Sequence, residues 1–255
     1  MRWVLRLLGL GLPIGAAMAE ESKSSIRRTV RRGRSGRVSG IGDVTGNLGV
    51  MNRGCSMSSK VAIAILAAGR STRMGGFNKL LSLFGDVPLA RLSVERATAS
   101  RACQVIVVTG HMAKEIREAI SGLSHTEVHN PAYASGLSSS IQTALQVIPE
   151  DCDGVLIHLA DMPLVTEGHM SSMIEAFNSG QRLSVVRATA FGEQGNPVIL
   201  PKSLFRALAD LKGDKGARRV IAESGLTVIE VEIGAAAICD VDTAEALHAA
   251  GGSQP

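Results

Sequence analysis

Residues 61–66 read VAIAIL, an apolar run with no polar break and three β-branched side chains. A strand of this composition has no hydrophilic face, so it needs cover on both sides, as in the interior of a parallel sheet. It leads directly into a loop holding Gly69, Gly75 and Gly76, from which Arg70, Arg73 and Lys79 project. Glycines permit close backbone approach, so backbone N–H groups and three cations can converge on one spot. A polyphosphate suits such a loop best.

The spacing separates this loop from the two commoner phosphate loops. A Walker A loop needs a Lys followed by Ser or Thr, whereas Leu80 follows Lys79; the dinucleotide fingerprint G-x-G-x-x-G is not supplied by Gly69, Gly75 and Gly76. What stands in residues 66–81 is L-A-A-G-x-S-x-R-M-G-x-x-x-K-L-L. This resembles the signature of the molybdenum-cofactor nucleotidyltransferases, the MobA-like NTP transferase family, and within it most closely the molybdenum cofactor cytidylyltransferases. The resemblance implies nucleotide binding by Leu66, Ala67, Ala68, Gly69, Arg70, Ser71, Arg73, Met74, Gly75 and Lys79. Arg73 and Lys79 are also implied as catalytic, stabilising charge on the departing pyrophosphate.

The net charge of +4 over 255 residues suggests a basic protein, but the charge is unevenly placed. Of 27 basic and 23 acidic side chains, ten and three lie in residues 1–56, which leaves 17 and 20 in residues 57–255. The larger part is therefore mildly acidic, and no long basic face remains to argue for nucleic acid. Residues 1–19 resemble a signal peptide ending in Ala17-Met18-Ala19. Against export, a nucleoside triphosphate is a cytoplasmic substrate, and the family's chains begin at a position matching Met57. Residues 1–56 are read as a disordered basic extension, a signal-like start or the product of an upstream start codon, because their Arg, Gly and Ser show no hydrophobic period. The four cysteines, Cys55, Cys103, Cys152 and Cys239, form no CxxC pair, so they are read as buried free thiols in a reducing compartment.

Downstream, apolar runs predict strands over 104–109, 126–129, 153–159, 183–188 and 227–233, with helical segments between them. Pro131 and Gly136 break the chain before Ser138, Ser139 and Ser140 open a helix. Hydroxyls and unpaired N–H groups at a helix start can hold a base edge or a phosphate. The stretch also resembles the family's N-P-x-x-x-G-x-S-x-S segment, which implies nucleotide contacts from Gly136 and the three serines. Asp161 follows a buried strand, at the carboxyl end where ligands collect in open α/β sheets. Its L-x-D-M-P setting resembles the family's metal-binding motif, so Asp161 is implied as a ligand of Mg²⁺ (or Mn²⁺) and as catalytic. The D-x-D-T segment at 240–243 implies Asp242 as the second metal ligand, with Asp240 in reserve.

Two further segments resemble the family's G-H-P-V and G-D-x-G-A-R elements, on the side that takes the second substrate. They imply acceptor contacts from Asn196, Pro197, Asp214, Lys215, Gly216 and Arg218. Asn196 stands where the family has His; Asn donates a hydrogen bond but does not titrate near neutral pH, which removes any proton-transfer role there.

The order of elements predicts one α/β domain over 57–255, a doubly wound, mostly parallel sheet of the Rossmann-like nucleotidyltransferase type. The resemblance implies CMP transfer from CTP to the phosphate of molybdopterin, with the molybdenum cofactor as acceptor and a molybdoenzyme apoprotein or its chaperone as recipient. No nucleic acid and no membrane are expected as partners. The alternatives are a guanylyltransferase of the same cofactor, a sugar-phosphate nucleotidyltransferase, a non-catalytic cofactor-binding chaperone and an oxidoreductase. No dinucleotide fingerprint supports the last.

Overall fold

A computed structural model of the chain describes residues 28–31, 60–74, 76–211 and 217–255. The run at 61–66 becomes β2 (Val61–Ala67), buried along its whole length. Its alternate side chains serve two different cores: Val61, Ile63, Ile65 and Ala67 pack on one face, Ala62, Ala64 and Leu66 on the other. That is the physical meaning of the unbroken apolar pattern, since period two places successive residues on opposite faces.

Parallel neighbours flank β2 on both sides: β5 (Gln104–Thr109) and β7 (Gly154–Leu159). Among the described residues these belong to an eight-stranded sheet. Outward from β2 on one side lie β5 and β6 (Thr126–His129). On the other lie β7, β9 (Glu193–Pro201), β8 (Val185–Ala190), β10 (Val228–Glu232) and β1 (Arg28–Arg31). The chain thus leaves β2 in one direction and returns to its other side with β7. The strand order reverses at that point, and ligands of open sheets bind beyond the carboxyl ends of strands there.

Helices cover both faces. On the first lie α1 (Leu89–Ala99), α2 (Ala113–Ala119) and α4 (Glu167–Ser179), through residues such as Val94, Ile116, Met170 and Phe177. On the second lie α3 (Leu137–Leu145), α5 (Phe205–Ala209) and α6 (Arg218–Ser224), through Ile141, Leu208 and Ile221. Fully burying one such side chain contributes about 1.5–3 kcal/mol. The predicted doubly wound, mostly parallel sheet is the observed architecture. Strand β9 runs antiparallel to both its neighbours, β7 and β8. A second small sheet joins β3 (Leu83–Phe84), β4 (Val87–Pro88) and β11 (Gly252–Ser253), so the C-terminal end packs beside the segment that follows the glycine loop. No helix among the described residues is long and apolar enough to cross a membrane.

Two expectations change. Within the segment read as lacking any element, residues 28–31 form β1, antiparallel to β10 at the margin of the sheet. An edge strand needs only backbone hydrogen bonds and no hydrophobic period, which is why composition did not reveal it. The signal-like start and the rest of 1–56 lie outside the described residues. The cysteines also differ: Cys152 is buried, but Cys103 is exposed and Cys239 is half-buried. Cys103 precedes β5 rather than lying in it, so the apolar run that follows does not cover it. Cys55 lies outside the described residues.

Candidate active site

Beyond the carboxyl end of β2 the chain makes the predicted loop. Ser71 adopts a left-handed conformation at φ 52°, and the Met74 amide donates to its carbonyl at 3.0 Å. Buried Asn78 braces the loop: its Oδ1 accepts from the Ser71 hydroxyl at 3.1 Å and from the Leu80 amide at 3.0 Å. The Ser71 hydroxyl in turn accepts from the Lys79 amide at 3.2 Å. Lys79 opens a 3-10 turn (Lys79–Leu81) capped by Asn78. Gly69 is exposed, and a Cβ there would meet nothing within 4 Å, so the protein's own packing places no demand for glycine at this position.

Beyond the carboxyl end of β7, Asp161 sits in a turn held from two sides. From α1, the Ser93 hydroxyl donates to the Ala160 carbonyl at 3.0 Å, and the Arg96 guanidinium donates to the carbonyls of Pro163 and Val165. From the C-terminal segment, the Val241 amide donates to the Asp161 carbonyl at 2.9 Å, which brings Asp242 to the same place. The Lys79 ammonium donates to both carboxylates, to Oδ2 of Asp161 and at 2.7 Å to Oδ1 of Asp242. Arg73 reaches Oδ2 of Asp242 at 3.2 Å.

Burial alone pulls the Lys79 pKa down, but the charges and hydrogen bonds of Asp161 and Asp242 outweigh it, and the ammonium titrates above its ordinary value. Partial burial raises the Asp242 carboxyl, and Lys79 with Arg73 overcomes this to leave it below the usual range. Asp240 behaves oppositely. Desolvation, then the charges of Asp242 and Asp161, push it up. The second oxygen of Asp161, Oδ1, is buried with no hydrogen-bond partner among the described residues. Such an atom, beside the half-exposed carboxylate of Asp242, fits a hard divalent cation that keeps substrate phosphates and water as its remaining ligands. Among the described residues no three His, Cys, Asp or Glu side chains converge as a self-sufficient metal cage.

Arg73, Lys79, Asp161 and Asp242, but not Asp240, line a cavity of about 480 Å³. Leu66, Leu80 and Leu159 supply apolar lining, the loop contributes Ala68 to Arg73 with Lys79, and Asp161 and Asp242 supply carboxylates. Tyr133, Ala134, Gly136, Leu137 and Ser140 form another wall. Of the nucleotide residues expected from the sequence, Leu66, Ala68, Gly69, Arg70, Ser71, Arg73, Lys79, Gly136, Ser140 and Asp161 therefore line one cavity.

Others do not. The side chain of Ala67 points into the first core. Met74 is buried against Val241 and Leu247, so it ties the loop to the C-terminal segment instead of meeting a ligand. Only one of the three serines faces the cavity. Ser138 is buried, with its hydroxyl unpartnered among the described residues, and the Ser139 hydroxyl donates to the carbonyls of Ala132 and Gly136. The helical turn of about 100° per residue spreads adjacent side chains around the axis, so three consecutive serines cannot share one face. Buried Asn130 donates to both Ser139 and Ser140, at 2.9 and 3.0 Å, and so fixes this wall.

On the expected acceptor side, Asn196 and Pro197 lie in β9, joined by a cis peptide bond, and Arg218 begins α6; none lines the cavity. Gly75, Asp214, Lys215 and Gly216 lie outside the described residues. With Thr72, Leu80, Ala134, Leu137 and Leu159, Tyr133 is among the lining residues the motifs passed over. The sequence signal for it was the Gly110-His111 turn: a Cβ on Gly110 would come within 2.7 Å of Tyr133 Cβ and 2.8 Å of Ala68 Cβ. Glycine there lets the tyrosine close against the strand end.

Comparison with known proteins bears on the family and the fold. The molybdenum cofactor cytidylyltransferase of Escherichia coli K12 is 28% identical over 187 residues, covering 72% of this chain and 92% of that protein. The bifunctional protein GlmU of Geotalea uraniireducens is 25% identical over 176 residues, covering 69% of this chain; the match spans only 36% of that longer relative. The crystal structure of Rv0371c of Mycobacterium tuberculosis H37Rv in complex with manganese superposes with a TM-score of 0.62 at 23% identity, covering 74% of this chain and 97% of that one, a likeness of fold. The model of the MobA-like NTP transferase domain matches residues 63–228, more than half of the chain, with the glycine loop and Asp161 inside the match and Asp242 beyond it. The chain belongs to the family of MobA-like NTP transferase domains.

Proposed function

We propose that this protein is a nucleotidyltransferase that moves CMP from CTP to the phosphate of molybdopterin, giving molybdopterin cytosine dinucleotide and pyrophosphate. The observation that carries the reading is the cavity itself, in which Arg70, Arg73 and Lys79 on the glycine loop confront Asp161 and Asp242. The similarity to a cytidylyltransferase over nearly the whole length of that protein supports the choice of base and acceptor.

In the reaction a phosphate oxygen of the acceptor forms a bond to the α-phosphorus of CTP, and the bond from that phosphorus to the bridging oxygen of pyrophosphate breaks. Such chemistry asks the protein chiefly for positioning and charge neutralisation. Exposed Gly69 and the neighbouring amides let the triphosphate approach the backbone, and Arg73 and Lys79 neutralise charge on the departing pyrophosphate. Asp161 and Asp242 would hold Mg²⁺ or Mn²⁺, which when bound supplies Lewis-acid stabilisation of the phosphate oxygens. The manganese bound by the mycobacterial protein of the same fold supports a divalent ion of this kind. Leu66, Ala68, Tyr133 and Ser140 bound the space for a base, and a pyrimidine fills less of it than a purine. Asn196, Pro197, Asp214, Lys215, Gly216 and Arg218 are proposed for the acceptor side, and a molybdoenzyme apoprotein or its chaperone as recipient of the product. The cytoplasm, where nucleoside triphosphates are made, is the proposed location.

The test is pyrophosphate release from each labelled nucleoside triphosphate in the presence of the molybdenum cofactor, with Asp161→Asn as control. CTP should exceed GTP in kcat/KM by about tenfold to a thousandfold, because a site built on hydrogen bonds rejects a base that leaves them unmade. Preference for GTP would replace the cytidylyl reading by a guanylyl one. Pyrophosphate release only when a sugar phosphate replaces the cofactor would move the acceptor to that class.

A further inference from the structure

At the opposite end of the sheet from the cavity, the chain brings two cysteines together. Cys103 immediately precedes β5 and Cys152 lies two residues before β7, and these two strands flank β2. Both approaches are tied to the start of β2. The Cys103 amide donates to the Val61 carbonyl at 3.0 Å, and the Asp153 amide donates to the Lys60 carbonyl at 2.8 Å. Lys60 returns a bond from its own amide to the Asp153 carboxylate at 3.0 Å, and its ammonium pairs with Asp151. The two sulfur atoms lie 3.5 Å apart, although 49 positions separate the residues in sequence. Cys103 is exposed, while Cys152 is buried among the apolar residues of the second core.

From this juxtaposition we infer that Cys103 and Cys152 are a site of oxidative modification, a dithiol that closes to an intramolecular disulfide when the protein meets a hydroperoxide. The asymmetry in exposure assigns the steps. The exposed Cys103 sulfur attacks the terminal oxygen of the hydroperoxide; the O–O bond breaks, one water or alcohol leaves, and Cys103 becomes a sulfenic acid. The Cys152 sulfur then attacks the Cys103 sulfur, the S–S bond forms as the S–O bond breaks, and a second water leaves with the remaining thiol proton. Two electrons pass from the two thiols to the peroxide. Cys152 is placed for the second step and not the first: no oxidant reaches a buried sulfur directly, whereas the Cys103 sulfur on which the sulfenic acid forms lies beside it at 3.5 Å. The contact distance leaves the sulfurs within van der Waals range, so closure needs a small movement of the exposed partner.

The test uses the full chain, reduced, freed of reductant and exposed to hydrogen peroxide, then digested without reduction and mapped by mass. A crosslinked peptide pair containing Cys103 and Cys152, lost on adding a thiol reductant, is the expected result. Trapping with a sulfenic-acid reagent should label Cys103 more strongly in Cys152→Ser, and Cys103→Ser should leave Cys152 as a free thiol at the same peroxide dose. Several outcomes would overturn the inference: Cys103 overoxidised to sulfinic acid with Cys152 still reduced, a disulfide joining two chains through Cys103, or a bond from either sulfur to Cys55 or Cys239. The mapping on the natural chain stands even if a serine variant fails to fold.

Discussion

The Lys79 ammonium donates to Oδ2 of Asp161 while the other oxygen of that carboxylate is buried without a partner among the described residues. Lys79 is the one cation bonded to both carboxylates of the cavity among the described residues; Arg73 reaches only Asp242.

Replacing Lys79 by Met removes the cation that Asp161 and Asp242 share and leaves them only the exposed Arg73, on the Asp242 side. Like charges in a half-buried site disfavour the fold, and the expected loss is about 1–3 kcal/mol after allowance for solvent screening. Manganese added to Lys79→Met should raise its melting temperature more than it raises that of the unaltered protein, because bound metal substitutes for the missing charge. An identical metal response in both proteins would separate the carboxylates from the metal site.

Arg73 offers the opposite case. Its side chain is 75% exposed and touches Asp242 at 3.2 Å, an arrangement that contributes little to stability. Arg73→Ala is expected to unfold at the temperature of the unaltered protein and to turn over about a hundredfold to a thousandfold more slowly. Thermal unfolding run beside initial-rate kinetics decides this. A lower melting temperature with unchanged turnover would make Arg73 a structural residue.

Gly110→Ala tests the tyrosine wall. The added methyl cannot be placed without moving Tyr133 or Ala68, whose Cβ atoms would lie 2.7 and 2.8 Å from it. The expected result is a destabilisation of about 1–3 kcal/mol together with a raised KM for the triphosphate. If KM holds while stability falls, Tyr133 does not meet the nucleotide.

His158, on β7, is fully buried, and neither ring nitrogen has a hydrogen-bond partner among the described residues. Burial, with the charge of Arg96 adding to it, pushes its pKa down to about 3, whereas an unfolded histidine titrates near 6.5. Between those values the unfolded chain binds a proton that the folded chain refuses, so stability is full above about pH 6.5 and falls as the pH drops. From pH 7 to pH 5 this group should remove about 2 kcal/mol. Urea unfolding at the two pH values should show a loss smaller by that amount in His158→Leu; equal losses in both proteins would mean that water or a movement of the strand accommodates the charge.

The sequence disclosed those parts of the site that depend on local pattern. An unbroken apolar run names a two-faced strand, and a loop of glycines with Lys79 beyond it, or an Asp just past the next such strand, falls at a strand end whatever the rest of the fold. Parts that depend on side-chain direction were hidden. Met74 and Ser138 stand inside ligand-like motifs, but contacts with Val241 and Leu247 turn the first into core, and the helical twist turns the second away. Strand direction was hidden too, because an apolar run reads alike both ways. The structure shows the reversal of β9 in the two-residue connection Phe191-Gly192, both at positive φ, which is the geometry of a tight hairpin.

Asp242 meets Lys79 across 163 positions of sequence, after every strand of the large sheet has already been laid down. Contacts between such distant positions close late, since the chain must first lose the freedom of the intervening loop. A ribosome therefore completes the scaffold well before the cavity acquires its second carboxylate. A chain cut short after β10 would keep the strands of that sheet and still lack Asp242, together with the amide of Val241 that fastens Asp161 in place.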